Sequence, residues 1–282
     1  MAFKSPPQIA RAGIETGMTK AALPFDKLLV AGFLAGAYIA FAGLLAVVTS
    51  AGLDPRVWGG IQTLITGGVF TLGLVLVVIA GSELLTGNMA FVPLGALNRK
   101  VRVGRVAFNL FFVLVGNLAG SLFVAYFLAV KTGVITTPDD LARLSTIAIG
   151  KGVRESDWQI FLRAVGCNWL VCLAVWMALS ADDVAGKILA IFFPIMAFVA
   201  MGFDHVVANM FFLPAAIFAH VPGIDWGDAL KNWAFAFLGN FVGAFLFVAL
   251  SYWYLYVRGT PNSPASEDAP ADRTEPRMAQ LQ

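Results

Sequence analysis

GSELLTGNMAFVP at residues 81–93 and GFDHVVANMFFLP at residues 202–214 are two copies of one thirteen-residue pattern. Glycine, an acid two residues on, a small residue, then Asn-Met-x-Phe-x-Pro fall in the same register, and both copies interrupt otherwise apolar runs. Interrupted hydrophobic segments at corresponding places in two halves of a membrane protein point to a transport site. The pattern therefore predicts a channel or transporter.

Composition agrees. The chain is 59% hydrophobic and 13% charged with a mean hydropathy of +0.79, against roughly 45 to 50% apolar and about 25% charged in a soluble domain. A soluble fold has no way to hide that surface. Six stretches without Asp, Glu, Lys or Arg approach the roughly 20 apolar residues a hydrocarbon core requires: Leu28 to Ser50, Val57 to Ser82, Val106 to Val130, Ala164 to Ala181, Ile188 to Phe203 and Trp233 to Val257. The second and fifth resume after the motif as Asn88 to Leu97 and Val206 to Ala219. Because an open-ended element in lipid satisfies its backbone only as a helix, the expectation is six helices with helices 2 and 5 broken.

The repeat extends to the flanking helices. Phe33-Leu34 and Leu45-Ala46-Val47 match Phe161-Leu162 and Leu173-Ala174-Val175, while Asn109, Phe112, Gly116-Asn117 and Gly120 match Asn232, Phe235, Gly239-Asn240 and Gly243. Each half thus holds three helices, and an odd number of crossings inverts the second half against the first. The expected organisation is an interfacial N-terminal helix over 1–26, a transmembrane domain over 27–258 with repeats at 27–131 and 157–258, and a disordered tail over 259–282 rich in Pro, Ser, Ala and acids. Ser5-Pro6-Pro7 begins the first of these, and Ile9, Ile14 and Met18 are positioned either for the membrane surface or, preferably, for packing at the inner mouth.

Lys and Arg divide 12 to 7 in favour of the side holding both termini, with Arg99, Lys100, Arg102 and Arg105 in one short loop as the strongest element. By the positive-inside rule both termini are cytoplasmic, which in a bacterial cell means the inner membrane. Cys167 and Cys172 lie in one predicted helix with no metal-ligand spacing, and no Walker A or dinucleotide fingerprint occurs. No cofactor, no metal, no nucleic-acid partner and no enzymatic activity is expected. The partners are the lipid bilayer, small anions and further copies of the chain.

A break in mid-membrane turns a half-helix N-terminus, with free N–H groups and the positive dipole end, toward the protein centre. Two such ends facing one another favour an anion. Thr86 stands in the first break as a hydroxyl donor; Gly87 and Asn88 follow it. In the second, His205 is the one group able to change charge near neutral pH. A neutral packed histidine and plain turn chemistry at Thr86-Gly87-Asn88 are the competing readings of these residues. Glu83 and Asp204 occupy equivalent positions and are expected to accept hydrogen bonds from the exposed N–H groups of the second half-helices.

Three segments resemble the formate/nitrite transporter family: Ser82 to Asn88, Gly166 to Ala174 (GCNWLVCLA) and Gly202 to Met210, in order along a match that spans residues 1 to about 258. The resemblance implies an aquaporin-like protomer, a homopentamer and one pore per protomer for small monovalent anions. Aquaporins themselves fit less well, since Ala208-Asn209-Met210 replaces their Asn-Pro-Ala. By position, His205 is the family's central histidine and Thr86 faces it; Asn168 and Asn209 match pore asparagines; Lys151 is the vestibule lysine, one residue farther from Asn168 than the family pattern. The resemblance places a cytoplasmic-side constriction at Phe70, Leu74 and Phe198 and an outer one at Leu84, Val171 and Phe203. Among substrates it favours formate, then nitrite, then hydrosulfide or short monocarboxylates. A membrane redox protein would need more ligands at depth than one histidine, and an anchoring subunit leaves the breaks without purpose. The pentamer is expected to close through Gly36, Gly116, Gly120, Gly239 and Gly243, which permit close helix approach.

Overall fold

The computed structural model describes residues 3–259, so the tail expected from 259 onward lies, from 260, outside the described residues. In chain order the helices are α1 (Pro6–Ala22), α2 (Phe25–Ser50), α3 (Pro55–Trp58), α4 (Ile61–Val75), α5 (Leu85–Leu97), α6 (Val103–Phe123), α7 (Pro138–Ile149), α8 (Asp157–Ser180), α9 (Val184–Ala200), α10 (Val206–Phe218), α11 (Trp226–Ala244) and α12 (Ser251–Tyr256). Wide π-helical turns prolong α4 to Gly81, α6 to Lys131 and α11 into α12, and another follows α7 over Gly150–Arg154. Such turns insert an extra residue into the helical ladder and cluster at functional sites.

Five of these elements are long and apolar enough to cross a bilayer: Phe25–Ser50, Ile61–Gly81, Val103–Lys131, Asp157–Ser180 and Trp226–Tyr256. The sixth expected crossing is shorter. Helix α9 has 17 residues, about 25 Å at 1.5 Å per residue, because the turn at Met201-Gly202 stops it before Phe203.

Both predicted breaks are present, as the non-helical segments 82–84 and 201–205. At the entry to each stands a glycine in the left-handed region, Gly81 just before the first at φ 84° and Gly202 second in the other at φ 73°, a conformation that costs other residues a Cβ clash. Gly81 and Gly202 are the first residues of the two motif copies, so one backbone requirement explains the invariant start of the pattern.

Pairs of helices approach closely where side chains are absent. A methyl on Gly36 would overlap the Asn117 carbonyl, one on Gly120 the Phe33 carbonyl, one on Gly239 the Phe161 carbonyl and one on Gly243 the Val165 carbonyl; Gly116 lies against Leu29 and Gly32. These glycines fasten α2 to α6 and α8 to α11 inside one protomer. They are not available to close a pentamer, contrary to the sequence expectation.

Helix α1 starts at Ser5, whose backbone N–H donates to Gln8 Oε1 at 2.8 Å, with prolines in the first turn where no N–H is needed. Ile9, Ala10 and Ile14 are buried, Met18 is exposed, and Gly17 allows the helix to touch the Phe91 backbone of α5. Arg105 secures its end by donating to the Ala21 and Leu23 carbonyls at 2.9 Å each. Lys4 pairs with Asp182 at 2.6 Å. These contacts gather Lys4, Lys20 and Arg105 at one end of the molecule, while Arg143 binds Ser50 and Thr66 at the other.

Candidate functional site

Each break is braced by a matching set of polar side chains. In the first, Lys20 Nζ donates to Glu83 Oε1 at 2.8 Å, Asn88 Nδ2 to Glu83 Oε2 at 2.7 Å and to Asn109 Oδ1 at 2.8 Å, and Asn109 Nδ2 returns to the Lys20 carbonyl at 2.9 Å. In the second, Lys151 Nζ donates to Asp204 Oδ1 at 3.1 Å, Asn209 Nδ2 to Asp204 Oδ1 and to Asn232 Oδ1, both at 2.8 Å, and Asn232 Nδ2 returns to the Lys151 carbonyl at 3.1 Å. Each lysine is thus paired with one carboxylate, as buried ions require, while Asn88 Oδ1, Asn209 Oδ1 and Asp204 Oδ2 stay buried without a hydrogen-bond partner among the described residues.

The acids do not cap the half-helices. The Leu85 N–H is taken by Asn117 Oδ1 and the Val206 N–H by Asn240 Oδ1, both at 2.9 Å. Each asparagine also donates to two carbonyls: Asn117 to Gly32 and Glu83, Asn240 to Ala164 and Asp204. A carboxylate two residues before the helix points sideways to the lysine, so the neutral amide on the neighbouring helix meets the N–H instead. Glu83 and Asp204 hold the lysines and Asn88 and Asn209; the capping role expected of them belongs to Asn117 and Asn240.

Thr86 Oγ1 and His205 Nε2 meet at 2.9 Å where the two half-helices face each other. His205 is itself the N-cap of α10, its Nδ1 accepting the Ala208 N–H at 3.0 Å. In the neutral ring the proton is then on Nε2, which donates to Thr86 and leaves the threonine hydroxyl proton free for another acceptor. A second ring proton would face the Ala208 N–H. The N–H groups of Thr86, Gly87 and Val207 have no partner among the described residues, so both helix ends present donors at the centre.

Asn168 does not reach the cavities. It is fully buried behind the first break, donating to the Thr86 carbonyl at 3.1 Å and the Asn240 carbonyl at 2.8 Å. Cys172 approaches the same Thr86 carbonyl at 3.4 Å, and both cysteines are free and buried. Gly87 is open on its Cβ side.

Two cavities and a neck between them lie around His205; Thr86, fully buried behind the ring, lines none of them. One, of about 240 Å³, is lined by Thr66, Arg143, Lys151, Glu155 and Arg163 at its mouth and by Phe70, Phe198, Phe203, His205 and Asn209 at its floor. The other, of about 460 Å³, holds Lys20 and Glu83 with Leu74, Leu84, Gly87, Asn88 and Phe91. Between them lies a neck with space for about one water, about 10 Å³, formed by Ile39, Phe70, Leu74, Leu84, Val171, Ile195, Phe198 and His205. Phe198 stacks on the His205 ring at 5.9 Å and edge-on to Phe70 at 6.0 Å.

All six expected constriction residues line the neck or its two cavities, but three of them, Phe70, Phe198 and Leu84, fall on the side opposite to that expected. Phe70 and Phe198 face the Lys151 cavity together with Phe203, whereas Leu84 joins Leu74 on the Lys20 side, where α1 packs. Helix direction is the reason: α4 runs from the Thr66 end toward Glu83, so Phe70 lies one turn nearer the Arg143 end than Leu74. Val171 belongs to the neck itself.

Sequence reasoning overlooked Lys20, the counterpart of Lys151, and the polar mouth of Arg143, Glu155 and Arg163. Lys20 had a readable signal, since each lysine lies five or six residues before the first long helix of its half. The Glu155 and Arg163 positions carry no repeat partner and had none.

Comparison with known proteins bears on this site. The family model described as "Formate/nitrite transporter" matches residues 7–254. A "Probable formate transporter" of Methanothermobacter thermautotrophicus is 47% identical, covering 91% of this chain and 98% of that protein. "Formate channel BtFdhC" of Bacillus thuringiensis is 40% identical over 93% of this chain and 99% of its own length. Among solved structures, a "Pentameric formate channel with formate bound" superposes with a TM-score of 0.73 at 28% identity, covering 83% of this chain and 98% of that one.

Proposed function

The chain belongs to the formate/nitrite transporter family, and we propose that it is a channel passing formate through the neck between its two lysine-bearing cavities. Six crossings arise when α9 with α10, like α4 with α5, counts as one broken span. The two three-helix halves are then inverted copies, with both termini cytoplasmic in the inner membrane. Five such protomers form the assembly, each with its own pore.

The observation that carries this reading is His205, which lines an apolar neck between two cavities that each contain a lysine and is held from behind by Thr86 at 2.9 Å. Lysines and half-helix ends draw an anion inward, but a bare charge among Phe70, Leu74, Leu84 and Phe198 is costly. A proton removes that cost. The neutral His205 Nε2–H, oriented by Thr86, donates to a carboxylate oxygen, and formate takes its proton from water of the entry cavity, either directly or by a relay in which that water reprotonates Nε2 as the ring gives its proton up. Formic acid then passes the apolar rings and ionises in the opposite cavity. Glu83, Asp204, Asn88 and Asn209 hold the lysines in place; Asn168 stiffens the wall.

Nitrite has the same charge and similar size, so contact differences in such a neck give only about 1 to 3 kcal/mol of discrimination. Competition against labelled formate in liposomes containing only this protein tests the assignment. Formate uptake inhibited most strongly by unlabelled formate is expected; stronger inhibition by nitrite would reassign the substrate, and no uptake of either anion would overturn the channel reading.

A further inference from the structure

Glu155 lies just before α8 at the mouth of the Lys151 cavity and has no place in the mechanism above. Its side chain is 11% exposed and is ion-paired through Oε1 to Arg163. Its other oxygen, Oε2, is buried without a partner, and so is Oδ2 of Asp204. The two carboxyl groups lie near enough to act on each other's protonation. Two ionised carboxylates facing one another leave both oxygens unsatisfied and repel. One proton between them, carried by Glu155 and donated to Asp204, satisfies both.

We propose that Glu155 holds this proton against Asp204 and thereby sets how strongly the cavity draws an anion, making it a charge-determining residue for entry. The inference rests on the channel reading. With Glu155 protonated, Lys151, Arg163 and Arg143 outweigh a single carboxylate, Asp204; with Glu155 ionised they face two. His205 at the floor is neutral in this geometry. Asp228, from α11, is turned to the Asp225 cap, and Arg154 and Asp157 beside Glu155 are exposed.

The proton is held in a useful range. Burial, then the adjacent Asp204, push Glu155 up to about 7, against the pull of Lys151 and Arg163. The sign follows: the extra negative charge is absent below pH 7 and present above it, so anion entry weakens as pH rises through neutrality. Formate protonation itself changes with pH, so the informative quantity is the ratio of native to Glu155→Gln flux, measured with the same pH on both faces. Glutamine keeps the hydrogen bond to Asp204 and cannot ionise.

The ratio should be near one at pH 5.5 and fall by about tenfold by pH 8.5, the lower end of the effect of charge in a cleft. Infrared difference spectra of the native protein in liposomes should show a protonated-carboxyl band disappearing around pH 7, missing in Glu155→Gln. A flat ratio, or no titrating band in the native protein, overturns the proposal. If neither protein carries formate, the channel reading fails, and the infrared titration still decides whether the proton is there. Should Glu155→Gln not fold, the native titration alone decides.

Discussion

Asn117 and Asn240 show how much one amide can secure. Each takes the first N–H of a half-helix and donates to one carbonyl in the break, Glu83 or Asp204, and one in a neighbouring helix, Gly32 of α2 or Ala164 of α8, all buried. Asn117→Leu keeps the volume and strands all three groups, and each unsatisfied buried polar group costs about 1 to 3 kcal/mol. Thermal unfolding in detergent is expected to fall well below native for Asn117→Leu and Asn240→Leu alike; a native midpoint for either would show that water replaces the amide. Thr86 makes a second residue-scale test. Thr86→Ser retains the hydroxyl and should retain flux, whereas Thr86→Val should lose about tenfold, or about 1.4 kcal/mol, for one missing hydrogen bond. Equal flux in both variants would remove the hydroxyl from the pathway. These roles were half legible in the sequence. Asn117 and Asn240 announced themselves as a repeated pair, but only the folded chain brings the neighbouring helix's amide to the N–H and turns Glu83 and Asp204 toward lysines.

At the scale of helices, the contacts of α2 with α6 and of α8 with α11 depend on the absence of Cβ atoms. Gly120→Ala places a methyl on the Phe33 carbonyl, and overpacking of this kind costs about 1 to 3 kcal/mol. Gly68→Ala, with nothing within 4 Å, is the matched control. Lower thermal stability for Gly120→Ala beside an unchanged Gly68→Ala is expected; equal stability would mean α2 and α6 move apart freely. Small residues in an apolar run identify a close-packing face, but the run itself does not say whether the partner is another helix of the protomer or another protomer. That is why these glycines misled. The breaks were fully legible, because Gly81 and Gly202 at positive φ and the Asn-Met-x-Phe-x-Pro register impose the same local geometry twice. Lys20 was legible only through its spacing before the first long helix of its half, since a lysine near the end of an amphipathic helix otherwise reads as surface until α1 is laid against α5.

For the whole molecule, the proposed pentamer is expected to close on outward apolar side chains such as Phe41, Leu45, Phe111 and Leu238, exposed on the protomer, rather than on the buried glycines. The detergent-corrected mass should equal five chains of 30.1 kDa; a monomer or tetramer would remove the assembly from the account. Composition and hydropathy established a membrane protein, but α9 shows the limit of reading spans as apolar runs, because the run continues through the break while the helix stops at Ala200. The central claim is that formate crosses the neck lined by His205. It is tested most directly by formate flux into liposomes holding purified His205→Phe protein, compared with native protein at equal density. The account predicts downhill flux through the native protein and its loss in the variant with the assembly intact. Native-rate flux through His205→Phe with an unchanged pH profile would contradict it.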